Sequence, residues 1–365
     1  MRIETLCLRL RALGARPAHE QRVLRLWAQA QPQDSGRRKT QDFLPASLRA
    51  ALPALEDELN ALARLRSPHP AQDGSERLLV ELADGQTVES VLLPRDGLCV
   101  SSQVGCAVGC VFCMTGREGL VRQLGSAEIV AQVALGRSRR TVKKVVFMGM
   151  GEPAHNLDNV MEAIELLGTV GNIGHKSLVF STVGDLRVFE RLPQGRVKPA
   201  LALSLHTTRA DLRAQLLPRA PRIDPADLVE AGERYARATG YPVQYQWTLL
   251  EGINDSTDEM DGIAIAPRQI RGHEHDPVQH RGRPAIPAPG VGARGGTRTF
   301  AAPARCFDQA ASVGRPGCRR RLRATACAGR GTTRCHRHAA AAACGALSVS
   351  GSDVVLTRTM AGRIS

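Results

Sequence analysis

Between Ser126 and Leu250 the chain alternates between two kinds of apolar pattern, and that alternation leaves few folds open. Short runs rich in Val, Leu and Phe read as strands: "VKKVVFMGM" (142–150), "KSLVFST" (176–182), "PALALSLH" (199–206) and "PVQYQWTLL" (242–250). Among them lie "SAEIVAQVALG" (126–136), "LDNVMEAIELLG" (157–168) and "DPADLVEAGERYARATG" (224–240), whose apolar residues recur every three or four positions as in amphipathic helices. Apolar strands interleaved with such helices suggest parallel βα units, since parallel neighbours need a crossover between them. The predicted class is α/β. Periodicity fits an open sheet and a barrel equally.

Upstream, "ARPAHEQRVLRLWAQA" and "ASLRAALPALEDELNALARL" have helical periodicity, and "ERLLVELADGQTVESVLLP" places two alternating runs around Asp84-Gly85, the mark of a β-hairpin. Downstream of about Ala266 the patterning stops. The tail has no Trp or Tyr, is rich in Arg, Ala, Gly and Pro, and reads on its own as disordered or poorly folded. The predicted organisation is a helical accessory domain over 1–75, a core with a leading hairpin over 76–265, and a basic tail over 266–365.

The formal charge of +14 invites a nucleic-acid partner, but residues 266–365 alone carry 17 Arg, no Lys and 4 acidic residues, a net of +13. The patterned part of the chain is therefore close to neutral. No apolar run approaches the roughly 18 residues of a membrane span. The opening "MRIETLCLRLRALGARP" is broken by charge too often for a signal-peptide core. The expectation is a cytoplasmic protein, where clustered thiols more often bind metal or do chemistry than form disulfides.

Thiols are clustered in "CVSSQVGCAVGCVFCMTG", from Cys99 to Gly116. Cys106, Cys110 and Cys113 have the spacing C-x3-C-x2-C. Three thiolates on one short loop can hold three irons of a [4Fe–4S] cluster. The fourth iron is then open to a small molecule, such as the amino and carboxylate groups of S-adenosylmethionine (SAM). An electron from the cluster can break a C–S bond of that sulfonium and release a 5′-deoxyadenosyl radical. A structural zinc site with Cys99 as fourth ligand, or plain core cysteines, are the alternatives.

The flanking residues make the pattern more specific. "LCVSSQVGC", "FMGMGEP" (147–153), "FST" (180–182), "ALSLH" (202–206) and "GIND" (252–255) occur in that order. Together they resemble the radical-SAM methyltransferases that modify C2 or C8 of an adenine in 23S ribosomal RNA, one branch also acting on transfer RNA. The resemblance covers roughly residues 10–263. It implies a partial (β/α) barrel, a [4Fe–4S] cluster, SAM, an RNA substrate, a reducing protein such as flavodoxin or ferredoxin, and a monomer. The residue types agree. Gly151 lets the backbone approach closely, and the Glu152 carboxylate can pair with the SAM ammonium. By resemblance Ser181 and the run Ser204-Leu205-His206 also line the SAM site, at strand ends where such barrels place their chemistry. Here "STVGD" replaces the family's commoner "STSG" around Ser181.

The resemblance also implies a mechanism. C2 and C8 of adenine are electron-poor and do not attack an electrophilic methyl group. The family therefore methylates a C-terminal cysteine by displacement, turns that methyl into a carbon radical, and adds it to the ring. A base removes the ring proton, and a second cysteine attacks the tethering sulfur, leaving a disulfide. Glu89 matches the proton acceptor and Cys99 the second cysteine. On sequence alone Glu89 would be an ordinary exposed strand carboxylate.

The first cysteine is missing. Neither the family's "IP-aromatic-N" nor its "GQD-x-D-x-x-CGQL" occurs, and Cys344 in "AAACGALS" has no "GQD" before it. Permitted codons for Ala266–Pro289 and from Cys306 onward, read one base later, can spell both motifs in the right order. Arg-, Ala-, Gly- and Pro-rich text is also what GC-rich DNA gives out of frame. The tail is thus expected to be out of frame and the enzyme inactive. An iron–sulfur or zinc protein with a basic RNA-binding tail is the alternative. A tail metal site at Cys318, Cys327, Cys335, His336 and His338 matches no standard zinc spacing.

Overall fold

A computed structural model of the chain describes residues 1–36, 38–259 and 262, and the backbone of residues 348–350 and 353–355. Four helices come first: α1 (Ile3–Ala12), α2 (Pro17–Ala28), α3 (Thr40–Phe43) and α4 (Ala46–Ala61). In α4 the residues Leu48, Leu52, Leu55 and Leu59 recur at three- and four-residue intervals and are all buried. Strands β1 (Arg64–Pro70), β2 (Glu76–Glu81), β3 (Thr87–Leu93) and β4 (Gly97–Val100) follow, then a small antiparallel pair, β5 (Gln103–Gly105) and β6 (Leu120–Gln123). The expected hairpin is β2–β3: Glu81 pairs with Thr87, and Gly85 turns the chain at a φ of +80°.

Beyond β6 the chain runs α5 (Ser126–Arg139), β7 (Lys144–Phe147), α6 (Leu157–Gly168), β8 (Leu178–Thr182), α7 (Leu186–Arg191), β9 (Ala200–Ser204), α8 (Ala210–Leu216), α9 (Pro225–Thr239) and β10 (Gln244–Gln246). The side chain of Asp224 caps the start of α9 by accepting the N–H of Ala226, and Gly240, at φ +76°, ends it. The main sheet has the order β1-β2-β3-β4-β7-β8-β9-β10. Its first four strands are antiparallel, and β4, β7, β8, β9 and β10 are parallel neighbours. This is a partial (β/α) barrel.

The two faces of the sheet are filled differently, as strand alternation requires. Leu98, Val145, Phe147, Phe180 and Leu203 join the main core under the helices. Val146, Val179, Ala200 and Ala202 form a separate buried patch on the inner face, with Leu93 and Met148 packed against it.

The structure departs from the sequence reading in several places. The sheet begins at Arg64 rather than near residue 76. "RLRSPHP" carries charge and two prolines instead of an alternating pattern, and mostly exposed, it forms an edge strand. The N-terminal helices have no core of their own: Leu6, Leu10 and Val23 belong to the same buried cluster as Val145 and Phe147. Helices α7 and α8 were not anticipated, since at 6 and 7 residues they are too short to show a repeat. Most of the tail, including the five residues weighed as a metal site, lies outside the described residues. Within it Ser348–Ser350 pairs antiparallel with Asp353–Val355. No helix among the described residues is long and apolar enough to cross a membrane.

Candidate active site

The carboxyl ends of the parallel strands open into a cavity of about 110 Å³. Cys106, Cys110 and Cys113 line it from the loop after β5, and Gly149, Gly151 and Glu152 line it from the loop after β7. Ser181 of β8, Ser204 at the end of β9, and His206 complete its predicted wall, joined by Gln246 and Thr248. One pocket thus gathers eight of the eleven residues singled out from the sequence; Glu89, Cys99 and Leu205 do not line it.

The cysteine loop is held shut by backbone contacts that need glycine. The N–H of Cys106 donates to the carbonyl of Gly119 at 2.9 Å, and that of Cys113 to Cys110 at 3.0 Å. A Cβ on Gly105, itself at φ +77°, would stand 2.0 Å from that same Gly119 oxygen. Burial pushes the thiols of Cys106 and Cys110 up. Coordination to a metal reverses this by removing the proton.

Across the cavity, the β7 loop is fixed to the segment before the cysteines. Ser101 Oγ accepts the N–H of Met150 at 2.8 Å, and Gln103 Oε1 accepts that of Glu152 at 2.7 Å. Gly151 has φ +104°, and a Cβ there would lie 2.6 Å from the Gln103 side chain. Glu152 is buried, its carboxylate oxygens accepting the N–H groups of Ala154 and Val183, both at 3.1 Å. Burial outweighs those bonds and pushes its carboxyl up to about 7. A cationic ligand group would favour the charged form.

Gln246 was missed from the sequence and organises three strands. Its Oε1 accepts the hydroxyls of Ser181 at 2.9 Å and Ser204 at 3.1 Å, while its Nε2 donates to the sulfur of Met148 at 3.3 Å. A lone Gln within a strand gives no signal of such a role. Phe112, between two of the cysteines, meets the His206 ring edge-on with centroids 4.8 Å apart. Asn254, in "GIND", is buried and donates to the carbonyls of His206 at 2.7 Å and Thr248 at 2.9 Å. Leu205 does not line the cavity: its side chain is 3% exposed and belongs to the main core, so only its neighbours face the site.

Glu89 and Cys99 stand on adjacent strands rather than in the cavity wall. Cys99 pairs in register with Val91 and Val146, and Val91 lies two residues beyond Glu89, so all four share the inner face of the sheet. The carboxylate of Glu89 is paired with the guanidinium of Arg77. Arg77 is a further residue the sequence did not flag.

The implied disulfide is corrected: none joins the cysteines of the described residues, and the partner cysteine that would close it is not among them. Nor do three or more His, Cys, Asp or Glu side chains among the described residues gather as a single metal ion would require. A cubane takes one thiolate per iron and so needs its sulfurs more widely spread. Three cysteines on one cavity wall suit that need; a four-ligand zinc site through Cys99, which lies off that wall, does not.

Residues 100–261 match the model of the radical SAM superfamily. The chain is 78% identical over 272 residues to a "Probable RNA methyltransferase" of Azoarcus sp. (strain BH72), covering 74% of this chain and 78% of that one. It is 79% identical over 263 residues to one of Methylibium petroleiphilum, covering 72% and 74%. A crystal structure of a radical SAM methyltransferase from Sphaerobacter thermophilus superposes with a TM-score of 0.62 at 34% identity, over 73% of this chain and 80% of that one.

Proposed function

The chain belongs to the radical SAM family of RNA methyltransferases, and from that premise we propose that it is built to carry a methyl group from SAM to a ring carbon of an adenine. C2 is the preferred carbon over C8, and the substrate is 23S ribosomal or transfer RNA. The single observation that supports this most is the cavity that brings Cys106, Cys110 and Cys113 together with Glu152, Ser181, Ser204 and His206.

Cys106, Cys110 and Cys113 would hold three irons of the cluster, which when bound supplies one-electron reduction of the sulfonium. Glu152 takes the ligand's ammonium, and Gly151 leaves room for its approach. Ser181 and Ser204 spend their hydroxyl protons on Gln246 Oε1, which leaves their oxygens as acceptors toward the cavity. His206 presents a neutral donor. On the inner face of β3 and β4, Glu89 accepts the proton that leaves the adenine ring, with Arg77 holding the carboxylate in place, and Cys99 is the thiol that resolves the tethered product. A small acidic redox protein of the flavodoxin or ferredoxin kind supplies the electron, and the enzyme works as a cytoplasmic monomer.

The tail as it stands lacks the family's methyl-accepting motif, so the chain is expected to cleave SAM without methylating RNA. The test is to incubate the anaerobically reconstituted, reduced chain with methyl-labelled SAM and 23S ribosomal RNA or transfer RNA. 5′-Deoxyadenosine should form while the RNA stays unlabelled. A second version, with the tail returned to the family motif, should label adenine C2. Label on another base would overturn the reading.

A further inference from the structure

We propose that the outer surface of the cysteine loop, where Val111 and Met114 lie exposed beside Arg117 and Arg219, is the docking site of a small acidic electron-carrier protein that reduces the cluster. The proposal rests on the cluster-binding reading above and adds the side from which the electron enters. Cys106, Cys110, Phe112, Cys113 and Thr115 line the cavity. Val111 and Met114 stand among them in sequence but do not line it, and although both are apolar they are 52% and 38% exposed. The chain that leaves α8 backs the loop. The N–H of Val111 donates to the carbonyl of Leu216 at 3.1 Å, and that of Arg219 to the carbonyl of Val108 at 3.2 Å. The guanidinium of Arg219 lies against Gly109, where a Cβ would stand 2.5 Å from its Nη2. Gly116 packs on the same glycine, a Cβ there standing 2.7 Å from the Gly109 Cα, which brings Arg117 to this part of the loop as well.

Both arginines are exposed, and neither forms an ion pair among the described residues. Arg222, also exposed, folds back with its Nη2 on the carbonyl of Pro218 and adds a third cation, against the single carboxylate of the loop, Glu118. An apolar centre with a cationic rim suits a transient protein partner of opposite charge. Redox encounters are small, burying less than roughly 1,200 Å², so a patch of this kind suffices. RNA also seeks cations, but its adenine must enter the cavity, which Val111 and Met114 do not line, and phosphates gain nothing from apolar side chains. Once docked, the carrier's flavin hydroquinone gives up one electron and becomes the semiquinone, and the cluster takes that electron across the loop that holds it.

Wild type, a charge-reversed variant (Arg117→Glu with Arg219→Glu) and a charge-kept variant (Arg117→Lys with Arg219→Lys) are reconstituted anaerobically with iron and sulfide. The rate of cluster reduction is followed by absorbance, once with reduced flavodoxin and once with photoreduced 5-deazariboflavin, a small uncharged reductant that needs no docking. A wild-type chain that takes up no iron overturns both the site reading and this assignment; every other outcome bears on the patch alone. At low salt the flavodoxin rate of the charge-reversed variant should fall at least about tenfold, with its deazaflavin rate at the wild-type value. The charge-kept variant should hold both rates, and high salt should narrow the gap between reversed and wild type. Where the charge-reversed variant loses iron, Arg117→Glu alone, which leaves the contact of Arg219 with Gly109 in place, decides: only its flavodoxin rate should fall, by about threefold. The proposal is overturned if the flavodoxin rate matches wild type, even where affinity for 23S ribosomal RNA drops and marks the patch as an RNA contact. It is overturned equally if both rates fall alike, if Arg117→Glu also loses its iron, or if the wild-type cluster takes no electron from flavodoxin.

Discussion

The Nδ1 of His206 accepts the backbone N–H of Thr248 at 3.0 Å. A ring nitrogen that accepts carries no proton, so the proton of the neutral imidazole sits on Nε2. Burial, reinforced by the charge of Arg213, pulls the ring down to about 3, and it stays neutral throughout the physiological range. His206 holds this pose at φ +64°, with Asn254 bonded to its carbonyl. The side chain of "GIND" therefore acts on the site through His206 rather than by touching ligand.

Replacing His206 with Ala removes one neutral donor. SAM affinity measured by equilibrium dialysis should fall by roughly 0.5–1.5 kcal/mol, or about 2- to 13-fold. The pH profile of affinity between about 5 and 9 should run parallel in variant and wild type, since the ring does not titrate there. A profile that changes shape would contradict the assigned neutral form.

Glu152 should dominate pH dependence near neutrality. Its carboxyl is raised from 4.5 to about 7 by burial. Below the lower value both folded and unfolded states are protonated, and nothing is lost. As pH rises through this window the folded state keeps a proton that the unfolded state gives up, so stability falls and levels off above the higher value. Relative to Glu152→Gln, urea unfolding should show wild type losing on the order of 1–3 kcal/mol between pH 5 and pH 8. Binding of the SAM ammonium favours the carboxylate, so calorimetry near pH 6.5 in buffers of different ionisation enthalpy should show proton release that the Gln variant lacks.

Removing single thiols separates the four clustered cysteines. Cys106→Ala, Cys110→Ala and Cys113→Ala should each lose most of the iron retained after anaerobic reconstitution and desalting. Cys99→Ala, on β4 outside the residues that line the cavity, should keep it. Equal loss in all four would point to a site that includes Cys99.

Gln246→Leu leaves the hydroxyls of buried Ser181 and part-exposed Ser204 without their shared acceptor. The expected cost is about 1–3 kcal/mol, read as a lower urea midpoint at unchanged slope. SAM affinity should fall as well, because Ser181 and Ser204 then turn freely.

Much of this architecture could be read from the chain because its local and tertiary signals agree. The runs around Val145, Phe180 and Leu203 are apolar on both faces and became central parallel strands, and the hairpin turned at Gly85 as its Asp-Gly pair implies. β1 escaped notice because an edge strand has little to bury. The run from Pro242 to Leu250 reads as one long strand but pairs only over Gln244–Gln246, since Thr248 and Leu250 give their N–H groups to His206 and Asn254. At the site, the cysteines and Glu152 declared themselves by motif. Gln246 and Arg77 did not, because their contacts come from neighbours distant in sequence, and no spacing records that.

The most direct test of the cavity as a cluster site is a paired measurement on the anaerobically purified and reconstituted chain: metal content, and 5′-deoxyadenosine released from SAM on reduction. The predicted result is about four irons per chain with matching sulfide, and 5′-deoxyadenosine that disappears when Cys110 is replaced by Ala. A chain that takes up no iron, or that holds one zinc tightly in its place and releases no 5′-deoxyadenosine, would contradict it.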